Sequence, residues 1–289
     1  MSKIILITGA NGSVSSAVIG SLKGSGHKLR GLVRNPAKAG ALKDAGVEVH
    51  VGDLEKPKTL GPAFAGADTV FILTPPGPRA PEQSSNALWA ARQAGARHIV
   101  RMSAIGAAYD APTINSRMHA LSDGELTGSG LPYTILKPHF FLQNLMMAAQ
   151  SVAQDGTVYM AFGEAKLPAI DVRDIGEFAA RLLTTPGHEN KTYTITGPAA
   201  ISMHQFAAAL TEALGKPVKY VPVPVEAAVQ AIAQLGVDTW TQQALEDYFT
   251  AYSRGWASDV TDDYKRVMGK SARSVSEFAH DFAGVFGKK

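Results

Sequence analysis

The chain opens with a short apolar run that is followed at once by two glycines and a helical pattern. Lys3 to Thr8 is apolar except at its ends, as expected of a strand buried on both faces. Gly9 and Gly12 come next, in a Gly-x-x-Gly-x-x-Ser pattern that ends at Ser15. Ser13 to Leu22 then carries apolar residues at helical spacing. A strand, a tight glycine turn and a helix in this order predict a phosphate-binding loop within a βαβ unit.

Strands and helices continue to alternate through the first half of the chain. Further strands are predicted at 29–33, 47–51, 69–74, 98–103 and 133–137. Helices are predicted between them, for example at 36–45 and 82–94. This alternation predicts an α/β fold, a doubly wound parallel sheet of the Rossmann type. We divide the chain into a Rossmann domain at 1–152 and a smaller, mostly helical region at 153–289 that is partly interleaved with it.

The overall composition excludes several classes of function. The 289 residues include no cysteine, which excludes disulfides and thiolate metal sites, and no His-x-x-x-His pair occurs, so no metal is expected. A net charge of +3 is too small and too evenly spread to predict nucleic-acid binding. No apolar run approaches the ~18 residues of a membrane helix, and no signal peptide is evident. We therefore expect a cytoplasmic protein without a membrane partner.

The end of the second predicted strand indicates which dinucleotide binds. An NAD-preferring site has Asp or Glu at this point, where the carboxylate binds the ribose 2′-hydroxyl. Here the strand is followed by Arg34, 22 positions after Gly12, and Lys38 lies one turn further on. A guanidinium matches a 2′-phosphate, so the sequence predicts NADPH/NADP+ as cofactor. The alternative is that Arg34 is an ordinary solvated surface charge.

The remaining predicted cofactor contacts follow from the same fold. The loop and helix start would hold the pyrophosphate, and the residues after the third and fourth strands would line the adenine and ribose. The full set is Gly9, Asn11, Gly12, Ser13, Val14, Asp53, Leu54, Thr74 and Pro75. A turn or helix-capping role is an alternative for Asp53. For Pro75 the alternative is that it only shapes the loop.

Five motifs occur together in this chain. They are Gly9-x-x-Gly12, the run from Val33 to Lys38, Gly52-Asp53, the run from Tyr133 to Pro138, and the run from Asp171 to Ile175. In this combination the chain resembles the NmrA-like branch of the atypical short-chain dehydrogenase/reductase superfamily, and within it the type 2 NADPH:quinone reductases and triphenylmethane dye reductases. The resemblance implies an NADP(H)-binding domain and a substrate-binding region. It does not define the substrate, because the branch also includes redox-sensing regulators without catalysis.

The catalytic set of ordinary short-chain dehydrogenases is altered here. By resemblance, Ser103 stands at the family's serine and is also expected to contact the cofactor, together with Pro138. The helix that should carry Tyr-x-x-x-Lys has Asn115 in the tyrosine position and His119 in the lysine position. Asparagine is no acid, so the usual proton donor is missing. We predict polar assistance from His119, Asn115 and Ser103, while a core or surface role is an equal alternative for His119.

An aromatic segment follows the sixth predicted strand. His139, Phe140, Phe141 and Asn144 lie in it, and relatives use this loop to enclose a flat acceptor. We predict these four residues as the substrate-binding set. For the two phenylalanines, packing in the core is an equal alternative.

These observations predict an NADPH-dependent oxidoreductase. It would transfer hydride to a small, electron-poor acceptor such as a quinone, a dye or a conjugated carbonyl, since such acceptors need little acid assistance. The alternative is a non-catalytic NADP(H)-binding redox sensor of the NmrA type. A third hypothesis is an enzyme of the same fold with a specialised substrate, such as a conjugated double bond or benzylic ether. We expect a monomer or homodimer.

Overall fold

The predicted doubly wound sheet is present and contains seven strands. The computed structural model describes residues 2–287. Its strands are β1 (Ile4–Ile7), β2 (Lys28–Val33), β3 (Glu48–Val51), β4 (Thr69–Ile72), β5 (His98–Met102), β6 (Tyr133–Pro138), β7 (Thr157–Met160), β8 (Lys166–Leu167), β9 (Lys191–Ile195), β10 (Ile201–Ser202) and β11 (Lys219–Pro222). The large sheet has the order β3-β2-β1-β4-β5-β6-β9, and the neighbours from β3 to β6 pair in parallel.

The helices follow the strands as the sequence pattern predicts. They are α1 (Ser13–Leu22), α2 (Gly40–Asp44), α3 (Gly61–Phe64), α4 (Ala80–Gln93), α5 (Ile114–Gly128), α6 (Ala149–Asp155), α7 (Val172–Thr184), α8 (Met203–Leu214), α9 (Val225–Gln234), α10 (Thr239–Ser253), α11 (Asp263–Met268), α12 (Val275–Asp281) and α13 (Ala283–Phe286). Short 3-10 helices lie at Pro36–Lys38, Pro57–Thr59 and Leu142–Ala148.

The chain divides into two compact units. Among the described residues, unit 1 comprises 2–110, 115–138 and 172–194, and unit 2 comprises the rest. Unit 1 contains the large sheet through β1 to β6 and most of β9. Its core is formed by apolar side chains from several strands, among them Leu6, Val70 and Ile99, which are buried together with residues of α3 and α4. Whether these units coincide with a cofactor-binding domain at 1–152 and a substrate-binding region at 153–289 stays a prediction.

Helices α1 and α7 pack closely against each other in unit 1. Gly176 on α7 makes this approach possible, because a Cβ atom there would lie 2.6–2.7 Å from the backbone and side chain of Ala17 on α1. Ser15 and Val18 on α1 are buried, as are Ile175 and Ala179 on α7. The close contact fixes the direction of α1, whose first turn follows the glycine loop.

Unit 2 is mostly helical and carries two small sheets. β7 pairs in parallel with β11, and β8 pairs antiparallel with β10. Their apolar side chains join residues of α8, α10 and α12 in one core, which includes Phe162, Phe206, Tyr252 and Phe278. Helix α8 begins with a capping box, in which Ser202 and Gln205 satisfy each other's backbone N–H groups.

One local expectation differs from the structure. The helix predicted at 36–45 is split at Ala39 into a 3-10 helix and α2. Pro36 supports the first turn of the 3-10 helix, and Gly40, the first residue of α2, has a low helix propensity that weakens a continuous helix across Ala39.

Candidate functional site

The loop between β1 and α1 has the geometry of a phosphate-binding turn. Gly9 has a φ of +57°, a left-handed conformation that favours glycine. The N–H of Gly12 donates to the carbonyl of Gly9 at 2.8 Å, and a Cβ atom on Gly12 would lie 3.2 Å from that same oxygen. Helix α1 starts directly after Gly12, and no side chain caps its N-terminus. Asn11 and Ser13 are exposed, and Val14 is buried below them. The helix start therefore offers N–H groups and a positive dipole end to an anion.

Two hydroxyl groups anchor this loop from below. Ser15 occupies the position where the dinucleotide fingerprint usually has its third glycine. Its side chain is fully buried, and its hydroxyl donates to the carbonyl of Thr8 at 3.0 Å. The Thr8 hydroxyl in turn donates to the carbonyl of Leu73 and accepts from the N–H of Leu73, both at 2.8 Å. Serine thus fits the close contact between helix and strand, and it fixes the end of β1.

Positive side chains lie at the carboxyl end of β2. Arg34 and Lys38 are both exposed, and within residues 2–287 neither makes a side-chain hydrogen bond or ion pair. Between them, the Asn35 side chain accepts from the N–H of Ala37 at 2.9 Å and caps the 3-10 helix. No acidic residue occupies the position after β2 that would favour the unphosphorylated ribose. The two cations are therefore available for an anionic group.

The loops after β3 and β4 hold the other predicted cofactor residues. One Asp53 carboxylate oxygen accepts from the N–H of Glu55 at 3.0 Å, which closes a local turn, and Leu54 is buried. Thr74 is buried, whereas Pro75 is exposed. The turn that Asp53 forms agrees with the structural alternative for this residue. Its contact with adenine stays a prediction, as do the contacts of Leu54, Thr74 and Pro75.

A buried ion pair connects β5 with α5. The guanidinium of Arg101, 2% exposed, contacts the Asp123 carboxylate and also donates from Nε to the Ser84 hydroxyl at 3.3 Å. The second Asp123 oxygen accepts the Ser103 hydroxyl at 2.7 Å, and it lies 3.5 Å from the Lys137 ammonium group. The Lys137 ammonium also donates to the carbonyl of Ala107 at 3.1 Å. One carboxylate therefore organises the polar groups at the ends of β5 and β6.

His119 joins the same group of side chains. One Arg101 guanidinium nitrogen lies 3.3 Å from the His119 Nδ1 atom. Loss of hydration, together with the positive charges of Arg101 and Lys137, lowers the pKa of His119 to about 3. The imidazole is thus neutral near pH 7 and is not an acid there. We call Arg101, Ser103, His119, Asp123 and Lys137 the Asp123 network.

Asn115 and Pro138 lie at the ends of the elements that carry this network. Asn115 is in the first turn of α5, one turn before His119, and is partly exposed. The carbonyl of Pro138, the last residue of β6, accepts from the N–H of Ile105 at 3.0 Å. Both positions agree with the predicted register. Direct roles for Asn115, His119, Ser103 and Pro138 stay predictions.

The predicted acceptor segment belongs to unit 2. The Phe140 ring packs edge-to-face on Phe162, with centroids 5.5 Å apart, and on Tyr252 at 5.9 Å. This packing agrees with the core alternative for Phe140. Phe141 and Asn144 are partly exposed, so their side chains have some contact with solvent. Acceptor binding by these residues stays a prediction.

His139 is buried in unit 2 beside Tyr252. Its Nε2 lies 2.9 Å from the carbonyl of Ala257, and among the described residues its Nδ1 has no hydrogen-bond partner. A carbonyl can only accept, so Nε2 carries the proton. Burial lowers the pKa of His139 to about 4, and the ring is neutral near pH 7. The histidine connects the start of this segment to the loop after α10.

Membrane-spanning helices and clusters of metal ligands are both absent from the described residues. Over residues 2–287, no helix is both long and apolar enough to cross a membrane. The same residues contain no group of three or more His, Cys, Asp or Glu side chains that could hold a metal ion.

The sheet order, the glycine loop and the uncapped start of α1 define a Rossmann-type dinucleotide-binding protein. A profile of the NmrA-like family matches residues 1–278, and the chain belongs to this family. It is 38% identical to the NAD(P)H azoreductase of Xenophilus azovorans, over 98% of this chain and 99% of that protein. It is 29% identical to quinone oxidoreductase 2 of Escherichia coli, over 95% and 96% of the two chains.

A solved structure supports the same assignment. Triphenylmethane reductase of Citrobacter sp., complexed with NADP(H), has a TM-score of 0.85 and 27% identity, covering 96% of this chain and 99% of its own. The predictions of fold class, family and oxidoreductase activity are confirmed by these relationships.

Three members of the Asp123 network, Arg101, Asp123 and Lys137, are not among the residues that the sequence pattern predicts as functional. Arg101 lies in the mostly apolar strand β5, and Lys137 lies in the mostly apolar strand β6. A charged residue in a buried parallel strand needs a buried partner, and this requirement was the available signal. The partner Asp123 is 22 residues from Arg101 in sequence, and only the packing of α5 on the sheet brings them together.

Proposed function

We propose that this chain is an NADPH-dependent reductase that transfers hydride to a small, electron-poor acceptor. The observation that carries the cofactor assignment is the open anion site of unit 1, where the glycine loop leads into the uncapped start of α1. Arg34 and Lys38 add two exposed cations after β2. This combination fits a dinucleotide that carries a 2′-phosphate.

The residues present fit this cofactor without rearrangement of the loop. Gly9 and Gly12 leave room for phosphate oxygens, and the backbone from Ser13 to Ser15 would donate to them. Arg34 would contact the 2′-phosphate in a charge-assisted hydrogen bond, with Lys38 nearby. NADPH, when bound, supplies the hydride. The protein supplies binding, orientation and the local charge.

The nature of the acceptor follows from the groups that the chain lacks. Asn115 has no acidic proton, and the pKa of His119, about 3, keeps its ring neutral at pH 7. A ketone that needs a strong proton donor is therefore a poor substrate. A quinone, an azo compound or a cationic dye needs less assistance, because the added electron pair is delocalised or neutralises a positive charge. The names of the relatives above, an azoreductase, a quinone oxidoreductase and a triphenylmethane reductase, support this class.

This relatedness over nearly the whole chain favours the enzyme over the non-catalytic sensor. The family's regulator NmrA shares the fold at 18% identity, with a TM-score of 0.80, and this likeness supports the fold alone. We further propose a cytoplasmic protein, a monomer or homodimer, that acts on a small molecule and does not bind nucleic acid.

Three acceptors test the proposal. NADPH oxidation is followed by absorbance with a simple benzoquinone, an azo dye and a cationic triphenylmethane dye in parallel. We expect saturable oxidation with at least one acceptor and much weaker activity with NADH. Arg34→Ala should raise the KM for NADPH and leave the KM for NADH unchanged.

A matched control uses Lys28, which lies at the opposite end of β2 and is exposed. Lys28→Ala removes the same charge from the same strand and should leave both KM values unchanged. NADPH binding without turnover of any acceptor would contradict the reductase and restore the sensor hypothesis.

A further inference from the structure

The Asp123 network holds Ser103 in one hydrogen-bonding state. Its hydroxyl donates to an Asp123 carboxylate oxygen at 2.7 Å, and a carboxylate can only accept. The Ser103 proton is therefore used in the hydrogen bond to Asp123 and is not available to a bound molecule. What Ser103 offers to a bound molecule is the remaining lone pairs of its oxygen, so it acts as an acceptor.

His119 is held in the complementary state. A guanidinium has donors and no acceptor, so the contact from Arg101 at 3.3 Å requires a lone pair on His119 Nδ1. The ring proton then lies on Nε2, which makes His119 a neutral hydrogen-bond donor. The lowered pKa of His119, about 3, agrees with this state over the whole neutral range.

The charges of the network do not cancel. Arg101 and Lys137 each carry a positive charge, and both face the single carboxylate of Asp123 at the ends of β5 and β6. One positive charge remains in excess. The side chain of Lys137 is 20% exposed, so this charge is not sealed in the interior. Such a group stabilises negative charge that develops nearby.

We propose that Asp123 is a positioning residue for acceptors whose reduction creates an anion. By pairing with Arg101 and accepting the Ser103 proton, it fixes His119 as the Nε2–H donor and Ser103 as an acceptor, and it holds Lys137 beside them. The inference rests on the proposed function and identifies the acceptors for which the network matters.

The chemistry separates the acceptor classes. Hydride adds an electron pair to a quinone and gives a hydroquinone monoanion, which takes one proton from solvent water; an azo compound likewise forms a nitrogen anion that takes one proton. A cationic triphenylmethane dye accepts the same hydride at its central carbon and becomes neutral, with no proton required. The network should therefore support quinone and azo reduction and contribute little to dye reduction.

The first test observes His119 directly and needs no activity. The protein is labelled with nitrogen-15 in its histidine rings, and His119→Gln identifies the relevant signals. We expect a neutral Nε2–H ring with an unprotonated Nδ1 that does not titrate between pH 5 and 8. Titration within this range, or a proton on Nδ1, would overturn the proposal.

The second test compares acceptors in Asp123→Asn. This change keeps the size of the side chain, but its single carbonyl oxygen can accept from Arg101 or from Ser103 and not from both, so the fixed states of Ser103 and His119 and the position of Lys137 are lost. We expect kcat/KM to fall about tenfold more for quinone and azo dye than for the cationic dye, the size of effect typical of a charged hydrogen bond. Glu125→Gln is the matched control, since it removes the other carboxylate of α5, which is exposed, accepts from Ser85 and has an electrostatic effect on Arg101 but no hydrogen bond to the network. It should lower no rate.

The outcomes separate the two proposals. Equal loss with all acceptors in Asp123→Asn would overturn the inference and leave the reductase intact. Absence of turnover by the wild-type protein would overturn the reductase and this role with it.

If Asp123→Asn does not fold, the double replacement Arg101→Met with Asp123→Leu takes its place, because an apolar pair can replace a buried ion pair. The same selective loss of quinone and azo reduction is expected there, and its absence would count against the network.

Discussion

Two regions of unit 1 each carry a pair of positive side chains, but one pair is exposed and the other is paired with a carboxylate. At the end of β2, Arg34 and Lys38 are exposed and make no side-chain hydrogen bond or ion pair within residues 2–287. At the ends of β5 and β6, Arg101 and Lys137 are paired with Asp123. The first pair of cations is available to a ligand, whereas the second pair has its partner in the protein.

This difference in exposure corresponds to a difference in role: the exposed cations can bind a ligand, whereas the paired cations hold the local structure of the protein. Exposed cations cost the folded protein little, because water solvates them, and they gain a strong partner only when an anion arrives. Buried charges are tolerated only with a matched partner, so they make a local structure depend on a complete network. We therefore expect variants at the β2 end to change ligand affinity, and variants in the Asp123 network to change stability as well.

The largest expected effect is on the buried ion pair. Asp123→Leu leaves the guanidinium of Arg101 buried without its carboxylate, and breaking such a pair typically costs about 3–5 kcal/mol in the free energy of unfolding. Urea unfolding followed by tryptophan fluorescence measures this loss. The double replacement Arg101→Met with Asp123→Leu should recover most of it. A single variant as stable as wild type would remove the distinction between the two regions.

At the β2 end the expected effect is on affinity alone. Arg34→Ala should weaken NADPH binding by about ten- to a hundredfold, since a charge-assisted contact with a phosphate is lost. The NADH affinity and the urea midpoint should stay at their wild-type values. Fluorescence titration with each nucleotide measures the affinities, with Lys28→Ala as the control. An equal loss for both nucleotides would mean that Arg34 does not contact the 2′-phosphate.

The support of the glycine loop can be tested through the contact between α1 and α7. Gly176→Ala places a methyl group 2.6–2.7 Å from Ala17 atoms, and relief of such an overlap typically costs about 1–3 kcal/mol of stability. Gly20→Ala on α1 is the matched control, because a Cβ there meets nothing within 4 Å. It should be neutral or stabilising. Equal unfolding midpoints for the two variants would contradict the close packing.

The smallest expected effect concerns pH and unit 2. The pKa of His139 is about 4 in the folded protein against an ordinary value of 6.5, so between these values only the unfolded chain binds the proton. The contribution of His139 to the free energy of unfolding should be constant above pH 6.5 and fall by up to about 1.4 kcal/mol per pH unit as the pH drops towards 4. His139→Phe should remove this contribution and leave that of His119, whose pKa is about 3, so the pH dependence of urea unfolding at pH 7, 6 and 5 becomes shallower. The exposed His280→Asn should not.

Much of unit 1 follows from local sequence signals. The apolar run of β1 and the glycines after it predict the strand, turn and helix, because each depends on nearby residues. Ser15 shows the same locality, since its small side chain fits the position and its hydroxyl reaches Thr8. Arg34 is found at the predicted place after β2, although its contact with a cofactor remains a prediction.

The Asp123 network cannot be predicted from such local signals, because it depends on contacts between residues that are distant in sequence. Arg101 and Asp123 belong to different elements, and no residue near either of them in sequence predicts the ion pair. The state of His119 depends on this pairing too, so the sequence could place the histidine in register but could not define its protonation. The packing of Phe140 on Phe162 and Tyr252 is equally non-local, and the sequence left its core and pocket roles open.

The central claim is that the β1–α1 loop and Arg34 bind a dinucleotide with a 2′-phosphate, which then reduces an acceptor. Calorimetric titration of the wild-type protein with NADPH and NADH, followed by addition of benzoquinone to the NADPH complex, tests it most directly. We expect NADPH to bind about tenfold more tightly than NADH, or tighter still, and its absorbance to be lost once the quinone is added. Equal or tighter binding of NADH, or no binding of either nucleotide, would contradict it.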